Sequence, residues 1–222
     1  MKYMKYKGII FDLDGTLLDT LTDLYNAVNY TLVKLNQLPR TINEVRDFIG
    51  SGVATLLKRS LQDKTLVDEA LEIFSPYYDQ NKEVFTKPYD GILELLEFLN
   101  KTELKLGIVS NKVDEAVLAL NDTKFRGILT FSFGARENLA LKPDRALIDL
   151  CLAEMQLTAS EVLYIGDTEI DYETAVNANL DFVAVTWGFR DRDFLEKLNP
   201  KFLIERPNEL LELIFGLEHE SN

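Results

Sequence analysis

The chain has 222 residues, 46% of them hydrophobic, and a formal net charge of −13. That length and composition suit one large globular domain or a core with a smaller insert, and the acidic balance argues against general nucleic-acid binding, which needs a basic face. The single histidine, His219, and the single cysteine, Cys151, argue against serine–histidine or cysteine–histidine catalysis, histidine-rich metal sites and an internal disulfide.

The first seven residues are basic and aromatic, but the apolar run after them is too short for a secretory signal, and no stretch reaches the length of a membrane span. The expected location is the cytoplasm, with no membrane and no nucleic-acid partner. Residues 8–11 read as a buried strand of a parallel sheet that stops at Asp12-Leu13-Asp14-Gly15-Thr16. Thr20 to Asp23 has the form of a capping box and opens a helical stripe of Leu21, Leu24, Val28, Leu32 and Leu35, which Pro39 ends. Thr41 to Glu44 is a second such box. Gly50-Ser51-Gly52 interrupts the pattern, and Val53, Leu56, Leu57 and Leu61 resume it. Another helix is expected to start between Thr65 and Asp68, with Leu71 and Phe74 inward and its course past Pro76 open. Nothing from residue 20 to 85 reads as strand, so this stretch is expected to be an all-helical insert.

Beyond Pro88, strands expected at residues 104–109, 128–133, 162–165, 182–186 and 202–204 alternate with helices, including 145–155 and 208–215. This order implies a mostly parallel sheet with helices on both faces. Cys151 shares a helical stripe with Leu147, Ile148, Leu152 and Met155 and reads as core.

Ligands of such sheets gather at the carboxyl ends of the strands. Asp12 and Asp14 follow one strand, Ser110 and Asn111 a second and Asp167 a third, while Lys142 opens a helix after a loop. Extended backbone through Leu13 would turn Asp12 and Asp14 toward one space, where a hard divalent cation, most simply magnesium, would offset their repulsion. Asp167 and Asp171, four apart at a helix start, would share a face. Plainer alternatives stand beside these. Asp-x-Asp-Gly also begins turns and caps helices, Asp167 and Asp171 also suit a cap and a first-turn acid, and Gly50-x-Gly52 also suits a flexible break. An EF-hand loop does not fit, because glycine is fourth here and follows a strand, and no Gly-x-x-x-x-Gly-Lys phosphate loop occurs.

Taken together, Phe11-Asp12-Leu13-Asp14-Gly15-Thr16-Leu17-Leu18-Asp19-Thr20, Ile108-Val109-Ser110-Asn111, Lys142-Pro143 and Gly166-Asp167-Thr168-Glu169-Ile170-Asp171 resemble the four motifs of the haloacid dehalogenase superfamily of phosphatases. The helical insert resembles the family's C1 cap. Gly50-Ser51-Gly52-Val53-Ala54-Thr55-Leu56-Leu57 and Val185-Thr186-Trp187-Gly188-Phe189-Arg190 are similar to segments of phosphoglycolate phosphatase-like members. The chain departs at Arg145, where members often carry a second proline, and at residues 121–127, which are shorter than usual.

The resemblance implies an α/β fold, a Rossmann-like doubly wound parallel sheet core of residues 1–18 and 87–222 with an inserted all-helical cap domain of residues 19–86. It implies a magnesium-dependent phosphomonoester hydrolase acting on a small phosphorylated, phosphoglycolate-like metabolite. Asp12 would be the nucleophile that forms an aspartyl-phosphate, and Asp14 the acid–base. Ser110, Asn111 and Lys142 would hold phosphate, and Asp12, Asp14 (through its backbone carbonyl), Asp167 and Asp171 would hold Mg2+. Gly50, Ser51 and Gly52 would set specificity from the cap, in a monomer or homodimer. A phosphosugar mutase of the same fold and a non-catalytic phosphoryl-ligand binder are the alternatives.

Overall fold

A computed structural model describes residues 6–216, so residues 1–5 and the tail bearing His219 lie outside the described residues. The first strand, β1 (Gly8–Phe11), is followed by a two-residue strand, β2 (Leu18–Asp19). Four helices come next: α1 (Leu21–Lys34), α2 (Ile42–Phe48), α3 (Val53–Ser60) and α4 (Val67–Asn81). A second short strand, β3 (Lys87–Pro88), pairs antiparallel with β2, so a two-stranded ribbon carries the chain into and out of the helical unit.

The remainder alternates. It comprises α5 (Ile92–Leu99), β4 (Lys105–Val113), α6 (Asp114–Phe125), β5 (Phe131–Ala135), α7 (Ala146–Met155), β6 (Val162–Gly166) and α8 (Glu169–Ala178). It closes with β7 (Asp181–Val185), α9 (Arg192–Lys197), β8 (Phe202–Ile204) and α10 (Glu209–Phe215). The main sheet has the order β5-β4-β1-β6-β7-β8, with every pairing parallel.

Strand alternation sorts the core into two layers. Ile9, Phe11, Ile108, Leu163, Ile165, Val183 and Val185 pack on one face with Ile92, Leu96, Val117, Leu120 and Leu210 of α5, α6 and α10. Ile10, Val109, Tyr164, Phe182 and Ala184 pack on the other with Leu147, Cys151, Met155, Ala175 and Leu195 of α7, α8 and α9. The sheet is therefore doubly wound, and Cys151 is a fully buried core residue. The helical insert has its own core of Leu24, Val28, Leu32, Val45, Leu57, Ala70, Phe74 and Tyr78. One residue of the main unit, Phe189, is buried in that core. Among the described residues no helix is long and apolar enough to cross a membrane.

Several local expectations change. The capping box at Thr41 and Glu44 forms, but the one at Thr20 and Asp23 does not. Asp23 instead accepts the backbone N–H groups of Phe85, at 3.1 and 3.0 Å, and of Thr86, at 2.8 Å. The buried carboxylate thus ties the start of the insert to its end, and the Thr20 hydroxyl is left without a partner. The helix expected from Thr65 to Asp68 begins as a 3₁₀ turn, Lys64–Leu66, capped by Asp63, and α4 continues through Pro76. The strand expected at 128–133 runs Phe131–Ala135, and β4 extends beyond Val109, with an irregularity in its pairing between Val109 and Val113.

Candidate active site

Asp12 leaves β1 with its backbone still in the sheet, its N–H donating to the Ile165 carbonyl at 2.8 Å. Gly15 then turns the chain with φ +92; a Cβ there would lie 2.3 Å from Asp167 Oδ2. Only glycine permits that approach together with that backbone conformation. Asp167 directly follows β6, and its carboxylate accepts the Thr16 hydroxyl at 3.0 Å and the Phe189 N–H at 2.7 Å. Asp171 is in the first turn of α8. There it completes a capping box with Thr168, whose hydroxyl donates to Asp171 Oδ2 at 2.7 Å. Thr168, rather than Asp167, is the N-cap, which leaves Asp167 facing the sheet edge.

These elements bring carboxylate oxygens of Asp12, Asp167 and Asp171, all buried, within 4.8 Å of one another. One buried cation lies among them. Lys142 Nζ donates to Asp12 Oδ1 at 2.6 Å, Asp171 Oδ1 at 2.7 Å and the Tyr164 hydroxyl at 2.9 Å. Lys142 does not open a helix as the sequence suggested: α7 starts four residues later, and the preceding loop buries the lysine under the site.

The electrostatics follow from two acids sharing one ammonium with a third acid close by. Burial pushes Asp12 up to about 7, against the pull of Lys142. Burial, with Asp171 and Asp12 nearby, pushes Asp167 well above the usual carboxylate range. Burial also opposes the charge on Asp171, but Lys142, Thr168 and Tyr164 outweigh it and hold that carboxyl low. Such a set of hard oxygen donors, with more carboxyl groups than one lysine can neutralise, fits a divalent cation such as magnesium.

Asp12 and Asp14 line the same cavity, of about 500 Å³, as the sequence expectation required, but they pair with different lysines. Asp14 accepts from Lys112 Nζ at 3.1 Å on both oxygens, and Lys112 also donates to the Tyr78 hydroxyl of α4 at 2.7 Å. Burial works against the Lys112 charge, yet Asp14 and Tyr78 raise its affinity for the proton above that of a free lysine. Burial also pushes the Tyr78 phenol up to about 12, so both groups keep their protons at neutral pH.

Neither Lys112 nor Tyr78 was singled out from sequence, although both left a signal. Lys112 is two residues after Ser110 on an extended strand, and Tyr78 is four after Phe74 on the α4 stripe.

Ser110 is buried at the cavity wall, where its hydroxyl accepts from the Lys112 N–H at 3.2 Å. The Asn111 side chain is already engaged. It donates to the Gly50 carbonyl at 3.0 Å and the Lys142 carbonyl at 2.9 Å, and accepts the Lys142 N–H at 2.7 Å. That amide joins the lysine loop to the helical insert. Gly50 and Gly52 line the cavity; Ser51, between them, is not among its lining residues. Gly52, at φ +83, caps α3.

A strap also joins the insert to the metal-type cluster. While the Phe189 N–H holds Asp167, its ring packs in the core of the insert. Arg190 pairs with Glu169 at 2.7 and 3.0 Å and donates to the Arg46, Asp47 and Ile49 carbonyls at the end of α2. The Arg46 carbonyl also accepts the Ile49 N–H at 3.4 Å, and the guanidinium supplies a donor to the Asp47 and Ile49 carbonyls left by the helix terminus.

Comparison with known proteins adds an independent observation. Residues 9–185 match the family model described as haloacid dehalogenase-like hydrolase. A phosphoglycolate phosphatase of Aquifex aeolicus is 33% identical over 210 residues, covering 93% of this chain and 95% of that one. A phosphoglycolate phosphatase of Pseudomonas savastanoi pv. phaseolicola is 30% identical over 223 residues, covering 96% and 82%. Among solved structures, a protein from Lactobacillus delbrueckii subsp. bulgaricus is 34% identical with a TM-score of 0.88, covering 95% of this chain and 99% of that one. A haloacid dehalogenase-like family hydrolase from Streptococcus pneumoniae is 26% identical with a TM-score of 0.81, covering 94% and 98%.

Proposed function

The chain belongs to the haloacid dehalogenase-like hydrolases and is a phosphatase, and from that premise we propose that it hydrolyses a small phosphomonoester of the phosphoglycolate kind through an aspartyl-phosphate on Asp12. The observation that carries this reading is the pairing of two kinds of carboxylate at one sheet edge. Asp12 is fixed among Lys142, Asp167 and Asp171, and Asp14 lines the same cavity.

An Asp12 oxygen attacks phosphorus, and the bond from phosphorus to the ester oxygen breaks. Asp14 gives that leaving oxygen a proton, then takes one from the water that attacks the phosphoryl group and frees Asp12. Ser110, Asn111 and Lys142 would hold the phosphoryl oxygens. Asp12, Asp167 and Asp171, with the Asp14 carbonyl, would hold a magnesium ion, which would supply positive charge to offset that of the nucleophile and the phosphate. Residues 19–86 act as the cap, and the strap through Phe189 and Arg190 holds it over the site.

A panel of phosphorylated metabolites with phosphate release as readout tests the reading. Release should stop on chelation, return with magnesium and return poorly with calcium, which prefers longer and more numerous oxygen contacts. Full activity after exhaustive chelation would refute the metal's role.

The cap should set selectivity, because every candidate substrate shares the phosphate. A Cβ on Gly52 would lie 3.2 Å from Leu141 Cδ1, and its φ of +83 disfavours any other residue. Gly52→Leu should therefore change selectivity among small phosphoesters by about tenfold, the size expected of a steric change at a pocket wall. Hydrolysis of an undemanding aryl phosphate should fall much less. Equal losses on every substrate would assign the loop to folding or closure instead.

A further inference from the structure

We propose that Lys112, braced by Tyr78 of the cap, is the subsite for a carboxylate on the leaving group, which takes the place of Asp14 on the ammonium when Asp14 turns to the ester oxygen. The inference rests on the hydrolase reading above and adds to it the group that recognises the substrate's second charge.

The cavity walls are mostly apolar on the cap side, with Leu24, Val53, Leu56 and Phe74, and the acids Asp12, Asp14, Asp79 and Glu115 repel anions elsewhere. Its lining holds two cations, Lys82 and Lys112. Lys82, at the end of α4, pairs with Asp79 at 3.2 Å and is the more exposed, 17% against 6% for the Lys112 side chain. Lys142, which pairs with Asp12 and Asp171, is not among the lining residues and is assigned to the phosphoryl end of the site.

Lys112 is placed by the chemistry as well as by the walls. Asp14 must reach the leaving oxygen to protonate it, and Lys112 is in contact with Asp14. In a 2-phospho acid the carboxylate is one carbon from that oxygen, within the neighbourhood of the same ammonium.

When Asp14 leaves, the Tyr78 hydroxyl alone would remain on a buried charge. A carboxylate restores the pair, whereas a neutral leaving group leaves the ammonium without an anion, and such unpaired buried charge is strongly disfavoured. The ring of Tyr78, 4.8 Å from Nζ, keeps the lysine aimed during the exchange. Because Tyr78 belongs to the helical insert and Lys112 to the sheet, this subsite exists only with the cap seated.

The test compares kcat/KM for 2-phosphoglycolate with that for ethyl phosphate, a counterpart of similar size that lacks the carboxylate. The wild-type ratio should be about 30 or more, the selectivity of one charge-assisted hydrogen bond. Lys112→Met should bring it to within about threefold of one, and Lys112→Arg should retain part of it. Tyr78→Phe, a milder change, should lower the ratio about threefold to tenfold while keeping the ring, and it decides the matter if Lys112→Met fails to fold. Lys82→Met should leave the ratio as in the wild type. A wild-type ratio near one, an unchanged ratio in Lys112→Met or in Tyr78→Phe, or a collapse in Lys82→Met instead would overturn the proposal. A wild-type protein inert toward all phosphomonoesters would overturn the hydrolase reading itself, a distinguishable result.

Discussion

Asp12→Asn should lose turnover by about 10⁴-fold or more while remaining folded, because an amide cannot serve as the nucleophile that a carboxylate is. The substitution preserves shape, and the amide oxygen can still accept from Lys142, which in the native protein donates to Asp12 Oδ1 at 2.6 Å. Lys142 also keeps Asp171 and the Tyr164 hydroxyl. Stability should move the other way from activity. Burial pushes Asp12 up to about 7 in the folded chain, against an ordinary value of 3.8. A folded value raised in this way contributes stability at low pH that is lost as pH rises through about 7. In chelator, therefore, the asparagine variant should melt above the wild type at pH 8, and the gap should close toward pH 4. Near-normal phosphate release by this variant would sink the covalent mechanism. A lower melting temperature at pH 8 would contradict the excess of negative charge in the cluster.

The alternation of the chain was legible because it follows from repeated local rules. Ile9, Phe11 and Ile10 point to opposite layers as strand geometry demands, and the carboxyl edge of the sheet gathers Asp12, Asp167 and Asp171. What escaped were pairings made across long stretches of chain. Asp23 has the spacing of a capping acid, but the backbone of Phe85 and Thr86, more than sixty residues on, offers it several N–H donors at once. A local cap cannot compete with that set. Asn111 has the same history, since its amide is taken by Gly50 and Lys142 from two other segments. Lys112 was hidden in a different way. Lysine on a strand usually faces water, and only the arrival of Tyr78 from the insert, together with the turn of Asp14, makes this one part of the cavity.

Lys142→Met should be the most damaging substitution for the fold as well as for turnover. Methionine fills a similar volume but removes the one ammonium among three buried carboxylates, with Lys142 itself only 4% exposed. Deleting one partner of such a buried pair typically costs about 3–5 kcal/mol, because the remaining charges are left uncompensated. The loss depends on pH in a definite sense. Lys142, with Thr168 and Tyr164, overcomes burial to hold Asp171 below its ordinary value of 3.8. A lowered carboxylate value contributes stability that is present above the unfolded value and lost as pH falls through the folded one. The deficit of the variant should therefore be full at neutral pH and shrink below pH 4 as the acids protonate. Lys142→Arg should not rescue it, since a planar guanidinium cannot occupy a site cut to three acceptors 2.6–2.9 Å from one nitrogen. Thermal melts in chelator across pH 4 to 8, read beside phosphate release, separate the two roles. A variant as stable as the wild type at pH 7 would show that the carboxylates are neutral without the lysine. Retained turnover would remove Lys142 from the phosphoryl site altogether.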